Sequence, residues 1–380
     1  MATRRLLALL ACTLAVAPAA LGKTTDNERK IGKEGDDEVA KQYRVITSPA
    51  YVERVQRIGA EVAKAAASQE PDLTLKFTVL DIPDVNAFSL PNGSIYVNKG
   101  LIDIVQSDDE LAGVLAHEAA HAVRHHLLQL IKKQQRFDIS TIAAVLVGAA
   151  AGVNVGEVAQ VGSLVSTGRA NAFNQTLETE ADHYAVDFLQ KTHFNPVGML
   201  TFMERLARQD TMSSQGLTDY GIFRTHPLSV QRKLALTTLL NQRGITINRR
   251  QVMKSLQAQA VETTVKGKLA AQVMLGPNVL LTVADDGDAK AMTRANNIAD
   301  RLNKVLGPGS NWNSPSVGGP GSTVLLFSGT PVYEVSDADV ALLGSPAKDL
   351  AEQARKHLYD RLRAEWVDTL RDKMPTQASR

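Results

Sequence analysis

One cysteine, Cys12, is all the chain has in 380 residues, and it lies inside an N-terminal stretch that reads as removable. The remainder can form neither a disulfide nor a thiolate metal site. Excess charge of one sign is also missing. The formal net charge is +2, and Arg4 and Arg5 account for all of it, so the rest lacks the clustered cationic surface that a nucleic-acid partner requires. Tandem repeats of about 20–50 residues are absent, which excludes a helical-repeat solenoid. What is present is ordinary globular material: 44% apolar and 22% charged residues, enough chain for two domains at roughly 150 residues each.

Residues 1–22 carry Arg4 and Arg5, an apolar run from Leu6 to Ala17, and Ala20 and Gly22 at the −3 and −1 positions of a cut. This pattern predicts a secretory signal peptide, because the apolar run is shorter than the roughly 20 residues a spanning helix needs. Lipidation of Cys12 after Leu9-Leu10-Ala11 is the alternative. Past the leader, apolar spacing from Asn27 to Ala67 predicts helices. Leu73–Leu80 alternates as a strand, and the segments at 86–90 and 94–98 flank Pro91-Asn92-Gly93 as a hairpin. Ser107-Asp-Asp-Glu110 reads as a capping box opening a helix that should run to about Gln135. The stretch 139–168, uncharged but for Glu157, predicts two closely packed Ala/Gly-rich helices, with contact to a membrane or a membrane protein as its other use. Helices follow at 177–191, 197–207 and 229–240, separated by a polar loop at 211–226. The segment 241–250 is the expected boundary, giving a domain at 23–250 and an accessory α/β domain at 251–380. In the latter, 278–283, 323–327 and 332–335 read as strands, 289–305 and 346–370 as helices, and 306–322 as a loop. The fold class expected is α+β, mainly helical with a small sheet.

The chemistry concentrates in His117-Glu118-Ala-Ala-His121. At 3.6 residues per turn the two imidazoles are about 40° apart on one helix and can reach one ion, with Glu118 on the flank of that face. Glu118 can then bond a water without being a ligand, which suits a general base. Two histidines alone are weak support for a metal, since a helix can carry them for solvation. Glu178-Thr-Glu-Ala-Asp182, beginning 57 positions after His121, supplies a third ligand in Glu178. One turn on, Asp182 can accept the outward N–H of a ligand histidine, His117 being the expected recipient. Glu180 points away and reads as a solvated acid. A set of two histidines and one glutamate leaves the fourth position of zinc open, as catalytic sites do.

These residues resemble the HtpX, Oma and BepA-type zinc peptidases of metallopeptidase family 48. The resemblance covers roughly residues 30 to 245. It is carried by the two motifs above, by Asn86-Ala-Phe-Ser-Leu-Pro-Asn-Gly93 with Ile95-Tyr-Val and Lys99-Gly100-Leu101, and by Thr225-His226-Pro227. It implies one zinc per chain on His117, His121 and Glu178, peptide-bond hydrolysis with Glu118 as base, and polypeptide substrates among unfolded or stalled envelope proteins. With the leader, it points to the periplasm, an extracellular location being the alternative. Two departures stand out: Asn174-Gln175 replaces a Ser-Arg pair common in relatives, and the tail lacks the helical repeats of BepA-type members.

Several further expectations follow. Substrate should add as a strand beside Ser94-Ile95-Tyr96-Val97-Asn98 if that strand is a sheet edge. His226 could donate to the oxyanion, cap the open metal position, or simply open a helix; Arg232 could support the same loop. His125 is expected near the site or solvated, with His126 facing elsewhere, and His183, His193 and His357 lack fellow metal ligands. Asp285-Asp286-Gly287-Asp288 reads as a strand-ending turn, not a calcium loop. The rival function is an assembly factor or holdase in which the metal site is structural and proteolysis rare.

Overall fold

The computed structural model describes residues 24–129, 168–212, 222, 226, 230–287, 289–307 and 310–373. The leader with Cys12, the stretch 139–167, and Thr225 and Pro227 lie outside the described residues. Helices α1 (Asp26–Gln42) and α2 (Pro49–Ala66) precede three strands, β1 (Lys76–Leu80), β2 (Ala87–Ser89) and β3 (Ser94–Asn98), then α3 (Lys99–Ile104) and α4 (Asp108–Val123). The helices α5 (Gly168–Leu189), α6 (Val197–Met212), α7 (Val230–Gln242) and α8 (Arg249–Val252) complete this half. The remainder holds β4 (Ala258–Val265), β5 (Lys268–Leu275), β6 (Asn278–Ala284), α9 (Ala291–Val305), β7 (Pro315–Gly318), β8 (Val324–Phe327), β9 (Thr330–Glu334), α10 (Asp337–Leu343) and α11 (Ala347–Lys373). The protein is α+β, a helical half followed by a smaller α/β half.

The helix α4 is the axis of the first half. Ser107 caps it by accepting from the Glu110 amide at 3.2 Å, and Asp108, Asp109 and Glu110 put negative charge at its positive end. The reciprocal half of the expected capping box is absent. Glu110 is fully buried and accepts instead from the Gln106 amide, Thr201 and Arg205 at 2.8, 3.2 and 2.6 Å. Nearly every residue from Glu110 to Val123 is buried, as expected of a helix with small or apolar residues all round. Two glycines let α6 approach closely. A Cβ on Gly113 would lie 2.8 Å from the Met199 Cα, and one on Gly198 would lie 2.4 Å from the Asp109 carbonyl carbon.

In the first sheet β3 lies between β1, which it pairs in parallel, and β2, which it pairs antiparallel. The 94–98 strand is therefore central and buried at all five positions, not an edge. The expectation that substrate adds beside Ser94, Ile95, Tyr96, Val97 and Asn98 fails, because both hydrogen-bonding sides of that strand are already used. Among the described residues, the open side of the sheet next to β3 belongs to β2. Bonds from Leu90 N to Ser94 O and from Asn98 N to Asn86 O mark the bonded pairs, so by antiparallel alternation Ala87 and Ser89 turn their peptide groups outward.

The second half differs more from expectation. Its antiparallel sheets, β4-β5-β6 and β7-β8-β9, include β4, β5 and β7, and α10 joins them; none of these four was expected, and β7 lies in the segment read as a loop. Two large apolar clusters share no residue, one running from Val55 to Leu240 and the other from Ala258 to Leu362. Polar contacts join the halves: Ser255 donates to Gln106 at 2.7 Å, and Arg250 pairs with Glu365.

Candidate metal centre

Four side chains from three parts of the chain converge. His117, His121, Glu178 and His226 each offer one ligand atom, and those atoms all lie within 4.8 Å of one another. His117 and His121 come from successive turns of α4, with Nε2 atoms 3.0 Å apart. Glu178, on α5, places its carboxylate 3.3 Å from His117 Nε2 and 3.4 Å from His121 Nε2. His226 brings Nδ1 to 3.1 Å from Glu178 and 3.3 Å from His117 Nε2. Four tetrahedral donors about 2.0–2.2 Å from one zinc ion stand about 3.3–3.6 Å apart, and the observed 3.0–3.4 Å spacings come close to that arrangement.

Charge makes the same point. Glu118, Glu178 and Asp182 are all buried, and the arginine that faces them is Arg232, 5% exposed. Its Nη1 meets Glu178 at 2.6 Å; its Nε and Nη2 meet the two oxygens of Asp182 at 2.7 and 2.8 Å. Asp182 in turn lies 3.0 Å from His117 Nδ1. Burial alone would raise the carboxyls of Glu178 and Asp182. Glu178 nevertheless falls well below the usual range through His226 and Arg232, and Asp182 is lowered by Arg232. Burial lowers the His117 imidazole, but its bonds to Asp182 and Glu178 outweigh it and hold the group at about 9; His121, more simply buried, drops to about 3. With Glu178 and Asp182 held ionised, the proton that His117 carries is one that a metal cation would displace. Glu118 differs, since burial pushes its carboxyl up, and its Oε1 lies 3.2 Å from His226 Nε2. A higher pKa suits a group that must take and return a proton.

Comparison with known proteins bears on this arrangement. Residues 49–240 match peptidase family M48. The chain belongs to that family. The family M48 match contains α4, α5 and the whole cluster, and membership makes the protein a metalloendopeptidase. Residues 272–365 match a domain of unknown function. Among relatives, the chain is 30% identical to metalloprotease LoiP of Escherichia coli K12 over 52% of its own length and 75% of that protein. It is 28% identical to the β-barrel assembly-enhancing protease of the same bacterium, over 58% of this chain and 47% of the other. Mitochondrial metalloendopeptidase OMA1 of Schizosaccharomyces pombe is 27% identical, over 54% and 59%. The chain thus spans three quarters of the first relative, but only about half of the second and three fifths of the third.

Beside Glu118 and His226 opens a pocket whose apolar wall is Val114, Met199, Phe202, Met203, Leu206 and Ile222. Three sequence expectations need correction. The helix bearing the histidines stops at Val123; Arg124 and His125 form a turn, His125 has φ 53°, and helical backbone resumes at 126–129. His126 therefore does not face elsewhere. It is 1% exposed, and its Nδ1 lies 3.0 Å from His121 Nδ1. His125 turns instead to α1, with Nδ1 2.8 Å from Glu28. Glu180 is not a free surface acid either: Arg124 holds it at 2.5 Å, and the neighbouring His126 imidazole and Arg124 guanidinium lower its carboxyl to about 2. His193 and His357 stand outside the cluster, on Glu61 and the Leu280 carbonyl. Asp285 accepts from the Ala291 amide at 2.7 Å, as a strand-ending turn would have it.

Proposed function

We propose that the protein is a zinc endopeptidase of the bacterial periplasm that cleaves unfolded, misfolded or stalled envelope proteins, with 23–250 as its peptidase domain and 251–380 as an accessory domain. The convergence of His117, His121 and Glu178 on one point beside Glu118 carries this reading. A bound zinc ion would supply Lewis acidity and make water acidic near neutral pH. The protein's own residues do the rest. Glu118 takes the proton of the attacking water and returns it to the departing amine. Asp182, clamped by Arg232, accepts from His117 Nδ1 and fixes that ring. His226 sits over both Glu178 and Glu118 and acts as a cap that withdraws when substrate enters. An extended peptide can add to the outward edge of β2, which packs near α4, and bulky apolar side chains fit the wall of Val114, Met199 and Phe202. Such binding suits unfolded chains. The leader pattern and the bacterial relatives, one named for β-barrel assembly, support envelope clients. Casein digestion tests the reading: the zinc-loaded protein should cleave, chelator should stop it, and Glu118→Gln should keep its zinc and lose cleavage. Undiminished proteolysis in that variant refutes the assignment of Glu118. Client protection without any cleavage by wild type would instead favour the holdase.

A further inference from the structure

We propose that His126 is a positioning residue for His121, the acceptor of its outward N–H and the link from that ligand to Glu180 on α5. This rests on the reading that His117, His121 and Glu178 hold one divalent ion. His121 turns Nε2 toward the cluster, 3.0 Å from His117 Nε2. An imidazole that gives the Nε2 lone pair to an ion keeps its proton on Nδ1, and that proton needs an acceptor. The atom facing it is His126 Nδ1 at 3.0 Å, the two rings nearly perpendicular at 84°. Accepting on Nδ1 leaves the His126 proton on Nε2, which points at Glu180 Oε2 from 3.6 Å. That gap is too long for a hydrogen bond, so the last link is a charge–dipole contact. Glu180 is itself fixed by Arg124, whose Nε lies 2.6 Å from Oε1 and whose guanidinium covers the Tyr184 ring at 4.6 Å.

The other ligand histidine shows the same plan. His117 Nδ1 meets Asp182, which Arg232 clamps. Each histidine of α4 is thus linked, His117 directly and His121 through His126, to a carboxylate of α5 that an arginine clamps. Glu178 and Asp182 share one face of α5, and Glu180 lies off it. His126 reaches Glu180 because α4 breaks at Arg124 and His125; on an unbroken helix it would stand about 140° from His121. The left-handed backbone at His125 is costly for a residue with a side chain, and the contact with Glu28 holds it.

The test uses the full mature chain stripped of metal, with zinc affinity read by competition against a chromophoric chelator and ligand geometry read from the visible spectrum of the cobalt(II) form. His126→Phe keeps the ring volume and removes the acceptor, and should weaken zinc about 10–100-fold and shift the cobalt bands. His126→Asn, whose amide oxygen can take the place of Nδ1, should recover most of the affinity. Glu180→Gln should give a smaller loss and carries the test with the Asn variant if His126→Phe does not fold. Wild-type affinity in His126→Phe or Glu180→Gln, or no recovery in His126→Asn relative to His126→Phe, overturns the proposal while leaving the metal site standing. A wild-type chain that binds no zinc overturns both.

Discussion

His226 stands where one substitution separates two chemical roles. Its Nδ1 is 3.1 Å from Glu178 and its Nε2 is 3.2 Å from Glu118, so it covers both the metal side and the base. Removing it opens both. His226→Ala should raise casein turnover severalfold at unchanged zinc content; a fall in turnover would mean that the ring donates to the oxyanion. At this scale much of the site was legible before the structure. His117, His121, Glu178 and Asp182 are pairs one turn apart, and helical periodicity places such pairs together without knowledge of the fold. Arg232 and His226 reach the site only through tertiary packing of α7 and the segment before it. His126 was misread for a different reason: counting degrees per residue fails across a helix break, and nothing as plain as Gly or Pro marks the break at Arg124-His125.

Elements were less legible than residues. The hairpin at Pro91-Asn92-Gly93 could be read because Asn-Gly supplies the positive φ its turn needs, and Gly93 has φ 87°. Alternation could not say which of its strands is central, since that depends on β1, which pairs with β3 from the far side. The β4–β5 hairpin escaped because its turn is Lys266-Gly267, at φ 50° and 77°, and its strands carry exposed polar residues. Element packing in the second half has its own polar anchor. Asp339 is fully buried and caps α10. It accepts from the Ala284 amide and from both Arg294 nitrogens at 2.8 Å, and from Tyr333 at 3.1 Å. Burial raises its carboxyl, but the bonds from Arg294 and from the Ala284 and Ser336 amides prevail and lower it. A carboxyl lowered on folding adds stability above its unfolded value of about 3.9, and that contribution is lost as pH falls through the folded value. Asp339→Asn, which leaves Arg294 without its counter-charge, should cost about 3–5 kcal/mol at neutral pH. Melting followed by circular dichroism should show the gap from wild type narrowing below about pH 4; a gap independent of pH would contradict this.

Across the whole molecule the division of labour follows the two apolar clusters. The first builds a helical frame in which α4 and α5 bring His117, His121, Glu178 and Asp182 together. The second cluster packs its sheets and helices around α9 and α11, and Ser255–Gln106 and Arg250–Glu365 dock it on the frame. No helix among the described residues is long and apolar enough to cross a membrane. The α+β class could be read from composition and periodicity, whereas the docking could not, because it depends on single polar contacts between residues more than 100 positions apart. The claim on which all else depends is that α4 and α5 together hold one metal ion. Its most direct test is the metal content of the purified full chain by inductively coupled plasma mass spectrometry, beside Glu178→Ala. About one zinc per chain in wild type, falling to a small fraction in the variant, is the expected result; equal zinc in both, or none in a folded wild type, would contradict it.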